Sequence, residues 1–181
     1  MLKTTANKIT VFRILLVPVF LVLCYSGKRI PALIVFLLAS LSDLADGYIA
    51  RRYHQISDFG KFMDPLADKI LVMAAMCYFV EVGRMPGWAL AIVLLREFAV
   101  SGMRLIAVEQ GRVIAAGWSG KVKTAATMVC LCLMLLIGPP GPEASAPDLV
   151  AQISTAVILI TTVYSGAEYL WKNRDIFRSA D

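Results

Sequence analysis

Stretches of about 20 predominantly apolar residues recur along the whole chain, and a hydrocarbon core of ~30 Å takes about that many helical residues to cross. Lipid offers no partner for backbone N–H and C=O groups, so such stretches satisfy them internally, as helices. Hydropathy and turn residues mark six expected spans, about 8 to 26, 31 to 51, 60 to 82, 87 to 109, 119 to 138, and 148 to 171. Hydrophobic residues make up 59% of the 181, against roughly 45–50% in soluble domains. Mean hydropathy is +0.71. These values leave no room for a separate soluble domain, so the expected architecture is an all-α membrane protein with one transmembrane domain over residues 1–181.

The breaks between spans carry helix-ending residues: Gly27 and Pro31, then Gly83 and Pro86-Gly87, then the run Gly138-Pro139-Pro140-Gly141-Pro142. Cys24, Cys77, Cys130 and Cys132 all lie inside apolar stretches and none has the C-x-x-C spacing of a zinc or redox site, so they read as packing residues. The first apolar segment lacks a small-residue cleavage site before Lys28-Arg29 and is followed by further spans, so it is expected to be a helix of the mature chain.

Six helices place both termini on one side, and the basic residues say which. With the N-terminus inside, only Lys28, Arg29 and Arg84 of the 18 Lys and Arg residues fall outside. The inner face then holds Lys3, Lys8, Arg51, Arg52, Lys61, Arg104, Arg112, Lys121, Lys123, Lys172, Arg174 and Arg178. Positive charge is retained in the cytoplasm during insertion, so both termini are expected there. The terminal Lys172, Arg174 and Arg178 read as topology signals and anionic-lipid contacts.

The second and third spans are the most polar. The second ends Ser42-Asp43-Leu44-Ala45-Asp46-Gly47-Tyr48-Ile49-Ala50-Arg51, and the third begins Gly60-Lys61-Phe62-Met63-Asp64-Pro65-Leu66-Ala67-Asp68. On helices, Asp43, Asp46, Gly47 and Ala50 share one face, as do Gly60, Asp64 and Asp68. A short turn from Arg52 to Phe59 makes the two helices antiparallel neighbours and gathers the four carboxylates at the cytoplasmic end. Ionisable groups at membrane depth are costly and mark function, and four adjacent negative charges need a cation. All-oxygen ligation favours Mg²⁺ or Mn²⁺, with Ca²⁺ the remaining option, and the single histidine, His54, argues against zinc. Gly47, Ala50 and Gly60 leave a groove where a phosphate-bearing ligand can approach the backbone, and Arg51 is placed to hold a phosphate.

The pattern Asp43-x2-Asp46-Gly47-x2-Ala50-Arg51-x8-Gly60-x3-Asp64-x3-Asp68 resembles the signature of the CDP-alcohol phosphatidyltransferase family at every defined position. The resemblance implies that family's six-helix fold over nearly the whole chain. It also implies that Asp43, Asp46, Asp64 and Asp68 bind one or two divalent metals, that Asp68 is the general base, and that Gly47, Ala50, Arg51 and Gly60 line the CDP pocket. The resemblance further assigns Asp46 to the nucleotide site and Asp64, with Asp68, to the catalytic pair, while Asn7, Thr10 and Arg13 are second-tier candidates that either contact the nucleotide or anchor the first helix. The resemblance implies CDP-diacylglycerol as donor, CMP as leaving group, and a homodimer in a bacterial inner membrane with its site facing the cytoplasm. Membrane lipids are expected partners and nucleic acid is not.

Softer motifs bear on the acceptor: Asn7-x2-Thr10-x2-Arg13, Arg96-Glu97, Ser101-Gly102-Met103-Arg104, Gly120-Lys121-Val122-Lys123-Thr124 and Thr162-Val163-Tyr164-Ser165-Gly166. These resemble the branch of the family that uses glycerol 3-phosphate. Physically, Arg96, Arg104, Lys121 and Lys123 can form a cationic pocket for an acceptor phosphate, with Thr124 adding a hydroxyl. The competing reading pairs Arg96 with Glu97 and leaves the lysines as topology marks. Phosphatidylglycerol, inositol phosphate and serine are the alternative acceptors. A cation transporter is disfavoured because the polar cluster is confined to one side of the bilayer. A nonenzymatic scaffold would lose only folding when Asp64 or Asp68 is neutralised.

Overall fold

The computed structural model describes residues 5–53, 58–112, 114, 117–139 and 148–175, with side chains described at 11–42 and from 69 onward within those ranges. Its regular elements among these residues are six helices: α1 Thr5–Tyr25, α2 Arg29–Tyr53, α3 Asp58–Glu81, α4 Gly87–Glu109, α5 Trp118–Ile137 and α6 Leu149–Lys172. They follow the six expected spans to within a turn at every end. Helix α1 starts three residues early, at Thr5, and both helix ends that flank the α2 to α3 connection run two residues past expectation. Arg52, Tyr53, Asp58 and Phe59 are helical, so the connection is shorter than the turn expected from Arg52 to Phe59. No Gly or Pro stands between Arg51 and Phe59 to stop either helix early.

Among the described residues, α5 and α6, with mean hydropathies of 1.7 and 1.6, are long and apolar enough to cross a membrane. The apolar parts of α1 and α2 are shorter, Val11–Tyr25 and Arg29–Ser42. Helix α4 is equally long but carries Arg96, Glu97 and Arg104.

The chain divides into two compact units, Met1–Phe79 and Val80–Asp181. In the first, α1 and α2 form a hairpin whose seam is built from Val17, Phe20 and Cys24 on one helix and Ala32, Phe36 and Ala39 on the other, all buried. Phe20 and Phe36 are fully buried, with ring centroids 5.7 Å apart. Alanines beside phenylalanines let the two backbones approach while the rings fill the space between. Gly27 ends α1 with φ +72°, a left-handed conformation that L side chains rarely adopt, and Lys28 N–H donates back to the Leu23 carbonyl at 3.0 Å. From α3, the Tyr78 hydroxyl reaches the Cys24 carbonyl at 3.4 Å, and its ring meets Tyr25 edge-on at 5.4 Å.

In the second unit α6 packs against both α4 and α5. Its buried residues are Ala151, Ser154, Thr155, Ile158, Thr162, Ser165, Gly166 and Tyr169, spaced at three and four as one helical stripe. The facing stripe of α5 contains Lys123, Thr127, Cys130, Leu131, Met134 and Leu135. Val129, Leu136, Ile153, Ile160 and Val163 point outward. Hydroxyls and a lysine are thus among the buried residues while large aliphatic side chains are exposed, a distribution unlike that of a water-soluble bundle. Small residues at the seam supply close van der Waals contact where lipid removes the hydrophobic drive between helices. This is the packing of a membrane protein.

Candidate functional site

The signature aspartates lie on helices whose backbones are described. Asp43 and Asp46 fall in the second half of α2, and Asp64 and Asp68 in the first half of α3, so their i, i+3 and i, i+4 register positions are helical ones. The side chains of these four, and of Gly47, Ala50, Arg51 and Gly60, lie outside the described residues, as do those of Asn7 and Thr10. Among the described residues no group of three or more His, Cys, Asp and Glu is placed to hold a metal ion. Arg13 is described, and its side chain is buried within α1.

The second unit holds the basic candidates, and there the side chains are explicit. Arg96 and Glu97 are consecutive on α4, and Lys123 faces them from α5. The Arg96 Nη1 donates to Glu97 Oε1 at 3.0 Å, and Lys123 Nζ donates to the same oxygen. All three side chains are at most 13% exposed. Arg96 Nη2 donates at 2.7 Å to the Ser165 hydroxyl on α6. The aliphatic part of Arg96 runs over Gly166, where an added Cβ would lie 3.0 Å from its Cγ, and past Gly120, where it would lie 3.7 Å from Nη2. Arg96 Nε is buried and has no hydrogen-bond partner among the described residues. Two buried cations thus share one carboxylate oxygen, in a low-dielectric setting where charges act on one another more strongly than in water.

The other expected members stand apart from this cluster. Arg104 is exposed two turns further along α4; its Nε donates to the Tyr169 hydroxyl at 3.2 Å, and its guanidinium lies 5.6 Å from that ring's centroid. Tyr169 also lines an open cavity of about 150 Å³ with Gly117, Ser119, Glu168 and Lys172. Lys121 and Thr124 are exposed on α5, and the Thr124 hydroxyl donates to the Gly120 carbonyl at 3.0 Å. The structure therefore joins Arg96 to Lys123 through Glu97 and leaves Arg104, Lys121 and Thr124 separate. The pairing of Arg96 with Glu97, raised from the sequence as an alternative to ligand binding, is present.

Sequence reasoning missed Tyr169. The signal was available, because Thr162, Ser165, Gly166 and Tyr169 are spaced i, i+3, i+4 and i+7 and form the buried edge of α6. A tyrosine continuing a stripe of small polar residues is placed to receive a charged side chain from the neighbouring helix.

Comparison with known proteins now decides the family, since the pattern of the CDP-alcohol phosphatidyltransferases matches residues 3–164. The chain belongs to the CDP-alcohol phosphatidyltransferase family. Curated relatives match over as much as 97% of the chain. The chain is similar to the CDP-diacylglycerol--glycerol-3-phosphate 3-phosphatidyltransferase of Bacillus subtilis, 37% identical over 97% of both chains. It is 31% identical to the protein of the same name from Rickettsia typhi, over 93% of this chain and 96% of that one. The Salmonella paratyphi A protein of that name is 37% identical over 70% of this chain and 74% of its own. As a phosphatidyltransferase of this family, the chain carries the whole signature along the α2 and α3 backbones, and Arg96, Glu97, Lys123 and Ser165 meet across α4, α5 and α6.

Proposed function

We propose that this protein is a CDP-diacylglycerol:glycerol-3-phosphate 3-phosphatidyltransferase, acting as one transmembrane domain over residues 1–181. The observation that carries the reading is similarity to enzymes of that name along 97% of the chain, with the aspartate signature intact. The proposed arrangement is a homodimer in a bacterial inner membrane, with six spans, both termini in the cytoplasm and the site opening on that side.

The donor set fits a hard divalent cation. Four carboxylates at helical spacing on α2 and α3 offer only oxygen ligands. Mg²⁺ or Mn²⁺ held by Asp43, Asp46, Asp64 and Asp68 would offset the negative charge of the pyrophosphate as CMP departs. Gly47, Ala50, Arg51 and Gly60, with Asp46, Asn7 and Thr10, are assigned to the CDP moiety. Arg96 and Lys123 are assigned to the acceptor phosphate; Arg104, Lys121 and Thr124, expected with them, stand apart from that cluster. Asp68, with Asp64 beside it one turn away, takes the proton from the acceptor hydroxyl. That oxygen forms a bond to the phosphorus bearing diacylglycerol, the bond from this phosphorus to the bridging oxygen breaks, and CMP leaves with the bonding electrons. No covalent enzyme intermediate is needed.

The test is transfer of label from glycerol 3-phosphate into lipid by the detergent-purified protein supplied with CDP-diacylglycerol and Mg²⁺, with Asp68→Asn as control. Metal-dependent labelling that the variant lacks supports the proposal. CMP release only with phosphatidylglycerol, inositol phosphate or serine would move the acceptor, and no release with any of them would overturn the transferase reading.

A further inference from the structure

The motif Thr162 to Gly166 on α6 has no role in the reaction as described so far, yet its last two residues touch Arg96. Arginine is long and loses much rotamer freedom when held in one pose, so a site that depends on one guanidinium gains from fixing it before the ligand arrives. Three contacts do this here. Glu97 Oε1 accepts from Nη1, the buried Ser165 hydroxyl accepts from Nη2 at 2.7 Å, and Gly166 gives the aliphatic part of the side chain a slot that a Cβ would close to 3.0 Å. The three come from two helices, so the guanidinium cannot swing without losing contacts to both.

We propose that Ser165 and Gly166, together with Glu97, are positioning residues that hold Arg96 ready for the phosphate of the acceptor. This rests on the reading that Arg96 serves the acceptor phosphate. A guanidinium has five N–H donors, and the two bonds to Glu97 and Ser165 leave others for phosphate oxygens, including the buried and unpartnered Nε. Lys123 donates to the same carboxylate oxygen and brings a second cation to the cluster. Glu97 accepts from both, so each buried cation has a carboxylate beside it.

The experiment is steady-state kinetics of the full-length protein in detergent with CDP-diacylglycerol and glycerol 3-phosphate varied independently, for the wild type, Ser165→Ala and Gly166→Ala. Ser165→Ala removes one oxygen and no charge. Gly166→Ala pushes on the Arg96 side chain and changes no charge. Both are expected to raise KM for glycerol 3-phosphate about tenfold, the loss of one hydrogen bond to a charged group, while kcat and the KM for CDP-diacylglycerol stay within about twofold. Inorganic phosphate, as a competitive inhibitor against glycerol 3-phosphate, should weaken by the same factor. A merely structural role would move all constants together or lower kcat alone. Should Gly166→Ala fail to fold, Ser165→Ala still decides. An unchanged acceptor KM in a folded Ser165→Ala enzyme overturns the inference while wild-type activity leaves the function standing. A wild type that takes only an uncharged alcohol overturns both.

Discussion

Arg84 Nε donates to Asp148 Oδ2 at 2.5 Å across the second unit, joining the approach to α4 with the first residue before α6. The same guanidinium donates through Nη1 to the Met134 carbonyl near the end of α5, and Asp148 Oδ1 caps α6 by accepting from Ala151 N–H at 3.0 Å. One ion pair thus ties three helix ends. Their side chains are 5% and 18% exposed, so removing one partner strands a largely desolvated charge.

Asp148→Asn should cost roughly 1–3 kcal/mol, read as a lower thermal midpoint of the purified protein. The pH dependence follows from the same contact. The hydrogen bond from Arg84 holds the Asp148 carboxyl below its ordinary value of 3.8, helped by Ala151 N–H and opposed by burial. A group whose value is depressed on folding contributes stability that is complete above its unfolded value and lost as pH falls through the folded one. Wild-type stability should therefore decline on acidification below about pH 4, and Asp148→Asn should lack that component. Parallel acid profiles for the two proteins would rule this out.

Gly111 tests the turn that follows α4. Its φ is +72° with open space around the position, and Arg112 N–H donates back to the Ala107 carbonyl at 2.8 Å. Conformation, rather than room, requires glycine. Gly111→Ala should cost roughly 1–2 kcal/mol without altering KM for either substrate. An alanine enzyme with the wild-type thermal midpoint would show that the turn relaxes to another shape.

Helix ends were legible where a long apolar run is closed by Gly or Pro, as at Gly27, Pro86-Gly87 and Gly138. The α2 to α3 connection was harder, since Arg52 and Phe59 are neither apolar periodic positions nor helix breakers. Residue types and spacing marked the aspartates, but spacing could not tell which basic residues converge. Lys121 and Lys123 are two apart, so a helix sends them to different sides, exposed and buried respectively. Tyr169 escaped notice because its role depends on α4 and α6 being neighbours, which no local pattern encodes.

For the signature itself, Asp68→Asn should lower kcat by roughly 10²–10⁴, the usual contribution of a general base, with little change in thermal midpoint. Chelation by EDTA should abolish wild-type turnover and added Mg²⁺ should restore it. Activity that survives both treatments would contradict the roles assigned to Asp68 and the metal.

Glu97 separates stability from substrate use. Its Oε1 is the shared acceptor for Arg96 and Lys123, so Glu97→Gln leaves two buried cations facing one another over a neutral amide. The expected cost is roughly 1–3 kcal/mol in thermal stability. Adding Lys123→Met to Glu97→Gln removes the unbalanced charge and should recover much of that loss, since an apolar side chain of similar length fills the space without a desolvation cost. The double variant should nonetheless use glycerol 3-phosphate poorly, because the second cation is gone. Recovery of stability without recovery of acceptor KM is the expected pattern. If Glu97→Gln is as stable as the wild type, the carboxylate does not neutralise the pair.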